Sequence, residues 1–453
     1  MKDNFRIGVF MLAQGQWQRA GVLSVGAGRG TAFAYTPEYA GPPLAPDLDY
    51  RTGPRSFVMA ASTDVRASRR KDLFRIFQEC LPGEWGERVL VGDPKFGAAF
   101  QMNSPAQRLY MLGHRKVGAL YFQPEGIPVE QDEDLPVIGT AALAKMERAA
   151  EDYLSALSSR IGGDRERWCL TSNGGRQPKA AYKDKNNIEY VAKFTQEVDG
   201  SYELPRVEAA MLATSRASGL STADGTLEEL GGRGRTALLS RRFDRDMVTI
   251  GDKQVAHVRH KVSMEVVMFG SDPSTEQAQV DYVDLAVWLR ANSADPETDV
   301  KDLYGRMVLN AYANNIDDHL GNIEVMQDDK YGWRLAPNFD LLIGDSMDEG
   351  QPRRVHRTTM GGLETPPYEP EFLARIADDM GLSEIDGLEI VNRVLTNIEA
   401  LPDRLVNFGC SNATLERVLP ALQLDQVGDL RMRIAEALEA ERDKTAVAEE
   451  QTM

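Results

Sequence analysis

The chain has 453 residues, and its 69 acidic and 52 basic side chains give a formal net charge of −17. This length predicts two to four compact units around more than one core. The acidic surplus argues against a free-standing nucleic-acid binder, whose footprint would be an excess of basic residues, but it does not exclude a DNA-binding partner. Cys80, Cys169 and Cys410 lie far apart, so neither a disulfide framework nor a zinc ribbon is expected.

The longest apolar stretches and the N-terminal residues indicate where in the cell the protein is expected. No apolar stretch approaches the roughly 18 residues of a membrane-spanning helix. Met1 to Phe5 lacks the charged and apolar regions of a signal peptide. We therefore expect a cytoplasmic protein that makes no membrane contact.

The predicted elements change along the chain from strands to helices. The first third alternates apolar runs with turns and is expected to be β-rich. Residues 26–30 contain three glycines but precede no apolar helix, so they predict a hairpin turn and not a dinucleotide loop. The acidic, proline-containing residues 123–136 predict a linker or long surface loop. Residues 140–160 predict an amphipathic helix, and the pattern is mostly helical from about residue 263.

Chemistry-bearing side chains are densest between Asn315 and Asn322, where four carboxylate or amide groups and one imidazole fall within eight residues. Phosphoryl transfer uses such a set, because an aspartate such as Asp317 can orient and deprotonate a hydroxyl while an asparagine amide holds Mg²⁺. A polar turn with Asx hydrogen bonds is an open alternative. A hydrolytic metal site at His319 is a weaker one, since the other histidines form no HxH or HExxH spacing with it.

Asp340 follows an apolar strand and a proline turn, downstream of that loop. Aspartates at strand ends commonly chelate Mg²⁺ that bridges nucleotide phosphates. The alternative is a turn or helix N-cap aspartate. The order of the two segments favours the metal role, because kinases place the base and the asparagine before the metal aspartate.

Two upstream segments could face phosphates. Residues 170–179 are rich in small residues whose amides can form an anion nest, but they match neither GxxxxGK[ST] nor GxGxxG, so a mobile surface loop is the alternative. Lys193 lies in an apolar strand, where an ammonium group is costly unless it is paired. Glu208 on the following predicted helix is the available acid. The alternative is a lysine on an exposed strand face.

Six segments, in this order, resemble the HipA family, whose members are kinase toxins of bacterial HipA–HipB toxin–antitoxin pairs. They are residues 81–86 (LPGEWG), 172–179 (SNGGRQPK), 242–245 (RFDR), 260–265 (HKVSME), 315–322 (NIDDHLGN) and 337–340 (PNFD). Phe339 stands where the family usually has tyrosine. Gly174 and Arg176 make the loop looser and more basic than in a typical member.

The resemblance implies an α+β, protein-kinase-like bilobal fold with a β-rich N-terminal subdomain and a mainly helical C-terminal lobe. We expect the β-rich subdomain over residues 1–135 and a region with the Gly-rich loop and ATP lysine over 136–250. A helical catalytic lobe is expected over 251–440, and an acidic flexible tail over 441–453.

The resemblance also implies an ATP- and Mg²⁺-dependent serine/threonine kinase. Asp317 would be the catalytic base, with His319 supporting its loop, and Asn322 and Asp340 would hold Mg²⁺. Lys193, partnered by Glu208, would contact the ATP phosphates. The Gly-rich loop would supply further groups toward the phosphates, namely Gly175, Gln177 and Lys179, and Ser172 would be autophosphorylated.

Implied partners are a HipB-like helix-turn-helix antitoxin and a protein substrate from translation, with an aminoacyl-tRNA synthetase the family's best-known example. DNA would be contacted only through the antitoxin. The alternative is a non-catalytic co-repressor that docks on a DNA-binding antitoxin.

Overall fold

The computed structural model divides the chain into two compact units. The first unit comprises Met1–Glu197 and Glu228–Gln277, and the second comprises Val198–Leu227 and Ala278–Met453. The structure describes residues 4–13, 16–26, 30–59, 72–91, 97–112, 115–126, 143–148, 177–194, 203–231, 235–250, 253–273, 278–344, 347–348, 351–352 and 354–452.

A six-stranded antiparallel sheet opens the first unit, with strand order β4-β3-β2-β1-β6-β5. Its strands are β1 (Phe5–Ala13), β2 (Gln16–Gly26), β3 (Gly30–Tyr35), β4 (Ser56–Met59), β5 (Arg115–Val117) and β6 (Leu120–Pro124). Alternate residues of β1, such as Ile7, Val9 and Met11, are fully buried, which is the period-two pattern of a strand with one face in the core. β2 and β3 close at Gly26 and Gly30, as the hairpin interpretation predicts.

Short helices follow in the same unit. They are α1 (Arg75–Gln78), α2 (Glu84–Val91), α3 (Gly97–Met102), α4 (Pro105–Met111) and α5 (residues 143–148). Ser104 and Gln107 form a reciprocal capping box that starts α4. Residues 143–148 are the described part of the amphipathic helix predicted over 140–160.

A second sheet has the strand order β7-β8-β10-β9. Its strands are β7 (Lys179–Lys183), β8 (Glu189–Phe194), β9 (Gly225–Glu229), in which the boundary between the units falls, and β10 (Thr236–Arg241). One face packs in a buried cluster with Trp85 and Val89 of α2 and with Leu143 and Met146 of α5. β11 (Arg245–Ile250) and β12 (Lys253–Val258) form an antiparallel hairpin, and β13 (Lys261–Ser263) leads into α7 (Met264–Phe269).

The second unit is mainly helical. Its helices are α6 (Leu204–Ala217), α8 (Tyr282–Asn292), α9 (Pro296–Tyr312), α10 (Pro370–Met380), α11 (Glu384–Glu399), α12 (Leu401–Asn407), α13 (Asn412–Leu422) and α14 (Leu424–Thr452). Two small hairpins interrupt them, β14 (Glu324–Gln327) with β15 (Trp333–Leu335) and β16 (Met347–Asp348) with β17 (Gln351–Pro352). Helix α14 extends through most of the segment that we expect to be an acidic tail. None of the described helices has the length and apolarity to cross a membrane.

Candidate active site

Helix α9 delivers the Asn315–Asn322 loop. Asp295 caps its first turn by accepting a hydrogen bond from the Thr298 amide, and nearly all of the last three turns is buried. Asn314 then adopts a left-handed backbone (φ 54°), which ends the helix. The motif therefore lies on a loop between a rigid helix and strand β14, as its flanking apolar pattern predicts.

Hydrogen bonds within the loop shape it and leave one carboxylate at the surface. The Asn322 side-chain Nδ2 donates to the Asp317 carbonyl (3.0 Å), and the Gly321 amide donates to Nδ1 of His319 (3.1 Å). His319 thus caps the one-turn 3₁₀ helix at Leu320–Asn322. The Asp317 side chain is 59% exposed. The loop is therefore held by the side-chain hydrogen bonds of a polar turn. Asp317 nevertheless remains exposed, where a substrate could reach it.

Asp318 is the buried counterpart of Asp317, and sequence reasoning gave it no role. Its Oδ2 accepts a hydrogen bond from the Tyr282 hydroxyl (3.2 Å) and lies 3.3 Å from Nδ1 of His356. Its Oδ1 accepts from the Arg357 amide (3.0 Å), and its carbonyl accepts from the Thr358 hydroxyl (2.6 Å). Burial, followed by the charge of Asp318, raises the pKa of Tyr282 well above its ordinary value. This network anchors the loop from beneath.

Asp340 sits in a strained turn that is tied to the loop. Its φ of 57° is left-handed, a conformation that an aspartate adopts more readily than most residues. On one side, Asn338 forms backbone hydrogen bonds with Ser221 and Ala223. On the other, the Gly344 amide donates to the Asn314 carbonyl (2.7 Å). The residues that follow Asp340 within the described segment 341–344 form no helix, so Asp340 is not an N-cap.

The β14–β15 hairpin brings Asn322 and Asp340 to one end of the same element. Asn322 precedes β14, Asp340 follows β15, and the Ala336 amide donates to the Glu324 carbonyl (2.9 Å) where the strands meet. Because the Asn322 amide nitrogen is bonded to Asp317, its oxygen is the atom that can face a cation. An amide oxygen and a carboxylate suit Mg²⁺, which usually keeps waters and takes substrate phosphates as further ligands. The donor set therefore fits Mg²⁺.

In the first unit, Lys179 and Lys193 lie directly opposite each other on β7 and β8. Each is only 6% exposed, so the alternative of a lysine on an exposed strand face is wrong. Directly opposed residues of an antiparallel pair project from the same face, and like charges there destabilise the sheet unless anions compensate them. The pair therefore places two buried lysine side chains on one face of this sheet. Gln177, half-buried, lies just before β7.

Other predicted residues are placed as follows. Glu208 is buried on α6 in the second unit (2% exposed), and its pairing with Lys193 stays a prediction. Ser172 and Gly175 lie outside the described residues. No three His, Cys, Asp or Glu side chains in the described part of the chain are arranged to hold a metal ion.

The RFDR segment forms ion pairs around the buried carboxylate of Asp244. The Arg242 guanidinium binds both carboxylate oxygens of Asp244 (2.7 and 2.5 Å), and Arg245 pairs with Glu189 of β8. Burial would raise the pKa of Asp244, but Arg242, Arg245 and Lys261 together hold it well below its usual range. The segment joins β8 to the start of β11. The alternation of arginine and aspartate in this segment is a sequence pattern from which an ion pair could have been predicted.

These features define the class of protein: an α+β chain in which a lysine-bearing sheet precedes a helical unit carrying an Asp–Asn loop and a strained aspartate. The chain belongs to the HipA family. The family description "HipA N-terminal domain" matches residues 13–123, and "HipA-like C-terminal domain" matches residues 171–401.

One solved structure shows the same fold. The HipA–HipB–operator DNA complex from Shewanella oneidensis MR-1 contains a similar chain, with a TM-score of 0.66 and 17% identity over 96% of this chain and 99% of that one. The proinflammatory kinase CtkA of Helicobacter pylori aligns at a TM-score of 0.40 and 14% identity, over 58% of this chain and 93% of that one. No curated protein matches the sequence. The predicted α+β, HipA-like fold is confirmed.

Proposed function

We propose that this protein is an ATP- and Mg²⁺-dependent serine/threonine protein kinase that acts as the toxin of a type II toxin–antitoxin system. The observation that carries the proposal is the loop of the second unit. It presents an exposed Asp317, and its Asn322 and the left-handed Asp340 flank the same β14–β15 hairpin in the chain. Phosphoryl transfer needs an exposed base, and it needs an amide oxygen and a second carboxylate that can hold Mg²⁺.

In this proposal Asp317 accepts a hydrogen bond from the acceptor hydroxyl and orients it in line with the γ-phosphorus of ATP. The hydroxyl oxygen forms the new P–O bond as the bond to the β,γ-bridging oxygen breaks. The electron pair leaves with ADP, and the hydroxyl proton passes to Asp317. When bound, Mg²⁺ supplies charge neutralisation on the phosphates. Asn322 and Asp340 are the residues that would hold it.

Lys193 and Lys179 are proposed as phosphate contacts. Their opposed, buried positions concentrate two positive charges on one sheet face. Lysine ammonium groups are common contacts for nucleotide phosphates. Glu208 is proposed as the acid that orients Lys193, while Gly175 and Gln177 would add backbone and amide contacts.

Autophosphorylation of Ser172 is proposed as the regulatory step. A phosphate there would add about −1.5 to −2 charges to a glycine-rich loop upstream of Lys193. Such a charge would repel ATP or hold the loop outside the nucleotide cleft. Both effects would switch the kinase off.

A HipB-like helix-turn-helix antitoxin is proposed as the partner, and contact with DNA would pass through it. The Shewanella complex, which contains HipA, HipB and operator DNA together, supports this. The net charge of −17 is consistent with a basic partner that carries the DNA contacts. The proposed substrate is a translation protein of the cytoplasm, such as an aminoacyl-tRNA synthetase.

The test compares the wild type, Asp317→Ala and the matched control Asp379→Ala, which removes an exposed carboxylate from α10. We expect Asp317→Ala to abolish phosphate transfer from ATP and growth arrest while still binding the antitoxin, and Asp379→Ala to behave as wild type. If Asp317→Ala arrests growth like the wild type, the non-catalytic co-repressor is the better function. Phosphoproteomics of cells expressing the same variants would identify the substrate.

A further inference from the structure

Arg357 forms an ion pair with the proposed catalytic base, and no sequence motif pointed to it. Its Nε lies 3.2 Å from Oδ1 of Asp317, and the two side chains are 60% and 59% exposed. Exposed ion pairs of this kind contribute little to stability, because holding two side chains together costs entropy. Stability therefore does not explain why the guanidinium stands beside this carboxylate.

The backbone beneath Arg357 is held in place by the catalytic loop itself. The Arg357 amide donates to the Asp318 carboxylate (3.0 Å), and the hydroxyl of Thr358 donates to the Asp318 carbonyl (2.6 Å). Three residues earlier, the half-buried guanidinium of Arg354 donates to the carbonyls of Ala311 (2.8 Å) and Ala421 (2.9 Å). These hydrogen bonds hold the backbone of residues 354–358 in place, and this backbone positions the Arg357 side chain beside Asp317.

Phosphoryl transfer at Asp317 would bring a phosphate within reach of this guanidinium. An acceptor hydroxyl bonded to the base lies about 2.6–3.2 Å from it. The phosphorus then lies about 3–3.5 Å from that hydroxyl oxygen in a near-attack geometry. The non-bridging phosphoryl oxygens consequently fall within several ångströms of the carboxylate that Arg357 already contacts. Arginine offers a planar fork of five N–H donors that matches such oxygens.

We propose that Arg357 is a catalytic residue that contacts the γ-phosphoryl group as it passes from ATP to the acceptor hydroxyl. This inference rests on the proposed kinase function and deepens it. The guanidinium forms no covalent bond and transfers no proton. It donates hydrogen bonds to the three non-bridging oxygens, over which the charge of the transferring group is spread in the transition state.

The first measurement separates the chemical step from nucleotide binding. Arg357→Gln removes the charge, Arg357→Lys keeps it without the fork, and Arg375→Gln removes another exposed arginine, which lies on α10. We expect Arg357→Gln to lower kcat about 100-fold or more with the KM for ATP changed less than about threefold. The kcat of Arg357→Lys should lie between those of the wild type and Arg357→Gln, and the kcat of Arg375→Gln should match the wild type.

The second measurement needs no turnover. Aluminium fluoride with Mg²⁺–ADP imitates the transferring phosphoryl group, so a residue that acts on the transition state should tighten this complex more than Mg²⁺–ADP alone. By calorimetry, the wild type should gain about tenfold or more in ADP affinity on adding aluminium fluoride. Arg357→Gln should lose that gain and keep the affinity for Mg²⁺–ADP.

The outcomes separate this inference from the proposed function. If the wild type transfers phosphate and responds to aluminium fluoride, and Arg357→Gln does both equally well, then the catalytic role of Arg357 is wrong and the kinase function stands. If the wild type neither transfers phosphate nor binds Mg²⁺–ADP, the proposed function is wrong and this inference falls with it.

Discussion

The indole Nε1 of Trp85 donates a hydrogen bond to the backbone carbonyl of Lys179, 3.2 Å away and 94 residues along the chain. Trp85 is the tryptophan of the LPGEWG segment and is fully buried. Lys179 opens β7 and faces Lys193 across the sheet. The bond therefore couples helix α2 to the strand that carries one of the two proposed phosphate contacts, and it lies within the first unit.

Replacement of Trp85 by phenylalanine should destabilise the protein and weaken nucleotide binding. The change removes the indole N–H donor to the Lys179 carbonyl and reduces packing, which together should cost about 2 kcal/mol or more of unfolding free energy. The KM for ATP should rise more than kcat falls. Denaturant unfolding and steady-state kinetics measure both effects. Trp17→Phe is the matched control, since Trp17 is 36% exposed and should tolerate the change. An unchanged unfolding midpoint for Trp85→Phe would contradict the coupling.

Removal of the Asp244 charge should alter both stability and its pH dependence. Asp244 is 1% exposed and paired with Arg242, so Asp244→Asn breaks a charge pair at a buried position and should cost about 3–5 kcal/mol. Because the pKa of Asp244 is depressed in the folded state, its contribution is present above the unfolded pKa of about 3.9 and is lost as pH falls below it.

The wild type should therefore lose unfolding free energy more steeply than Asp244→Asn as pH is lowered from about 5 toward the acid limit. Chemical denaturation at a series of pH values gives the slopes. Asp224→Asn is the control, because Asp224 is 66% exposed in its ion pair and should change neither the stability nor the slope. Parallel pH profiles for the wild type and Asp244→Asn would show that the Asp244 carboxylate does not titrate as described.

Replacement of Asp318 by asparagine should slow the chemical step through the geometry of Asp317. The amide keeps the shape of the carboxylate but weakens its bonds to Tyr282 and the Arg357 backbone. We expect kcat to fall about tenfold or more, with nucleotide affinity nearly unchanged, because Asp318 acts by positioning. Nucleotide titration and kinetics make this split. A loss of nucleotide affinity equal to the loss of kcat would indicate general damage to the fold.

The left-handed backbone of Asp340 predicts an order of stability among variants that lack its side chain. Asp340→Ala and Asp340→Gly remove the same carboxylate, but only alanine keeps a Cβ at φ 57°. Asp340→Gly should therefore be about 1 kcal/mol more stable than Asp340→Ala. Both should lose the Mg²⁺ dependence of ATP binding, measured by titration with and without the metal. Equal stability of the two variants would mean that the turn relaxes when the carboxylate is removed.

The sequence determined the local features of this protein. Apolar periodicity predicted the β-rich N-terminal third and the helical second half, and it placed residues 315–322 between a helix and a strand. These features depend on neighbours a few residues apart, such as the Asp295 cap and the Gly26–Gly30 turn. The order of short motifs likewise sufficed for the HipA family, since the motifs are contiguous segments.

Only the tertiary structure decided which distant residues act together. The opposition of Lys179 and Lys193 depends on strand register, and a slip of one residue would turn one ammonium to the other face. The Asp318–His356 contact and the Asp317–Arg357 ion pair join residues 38 and 40 positions apart through folded loops. No local pattern encodes such contacts, because they form only when packing brings separate segments together.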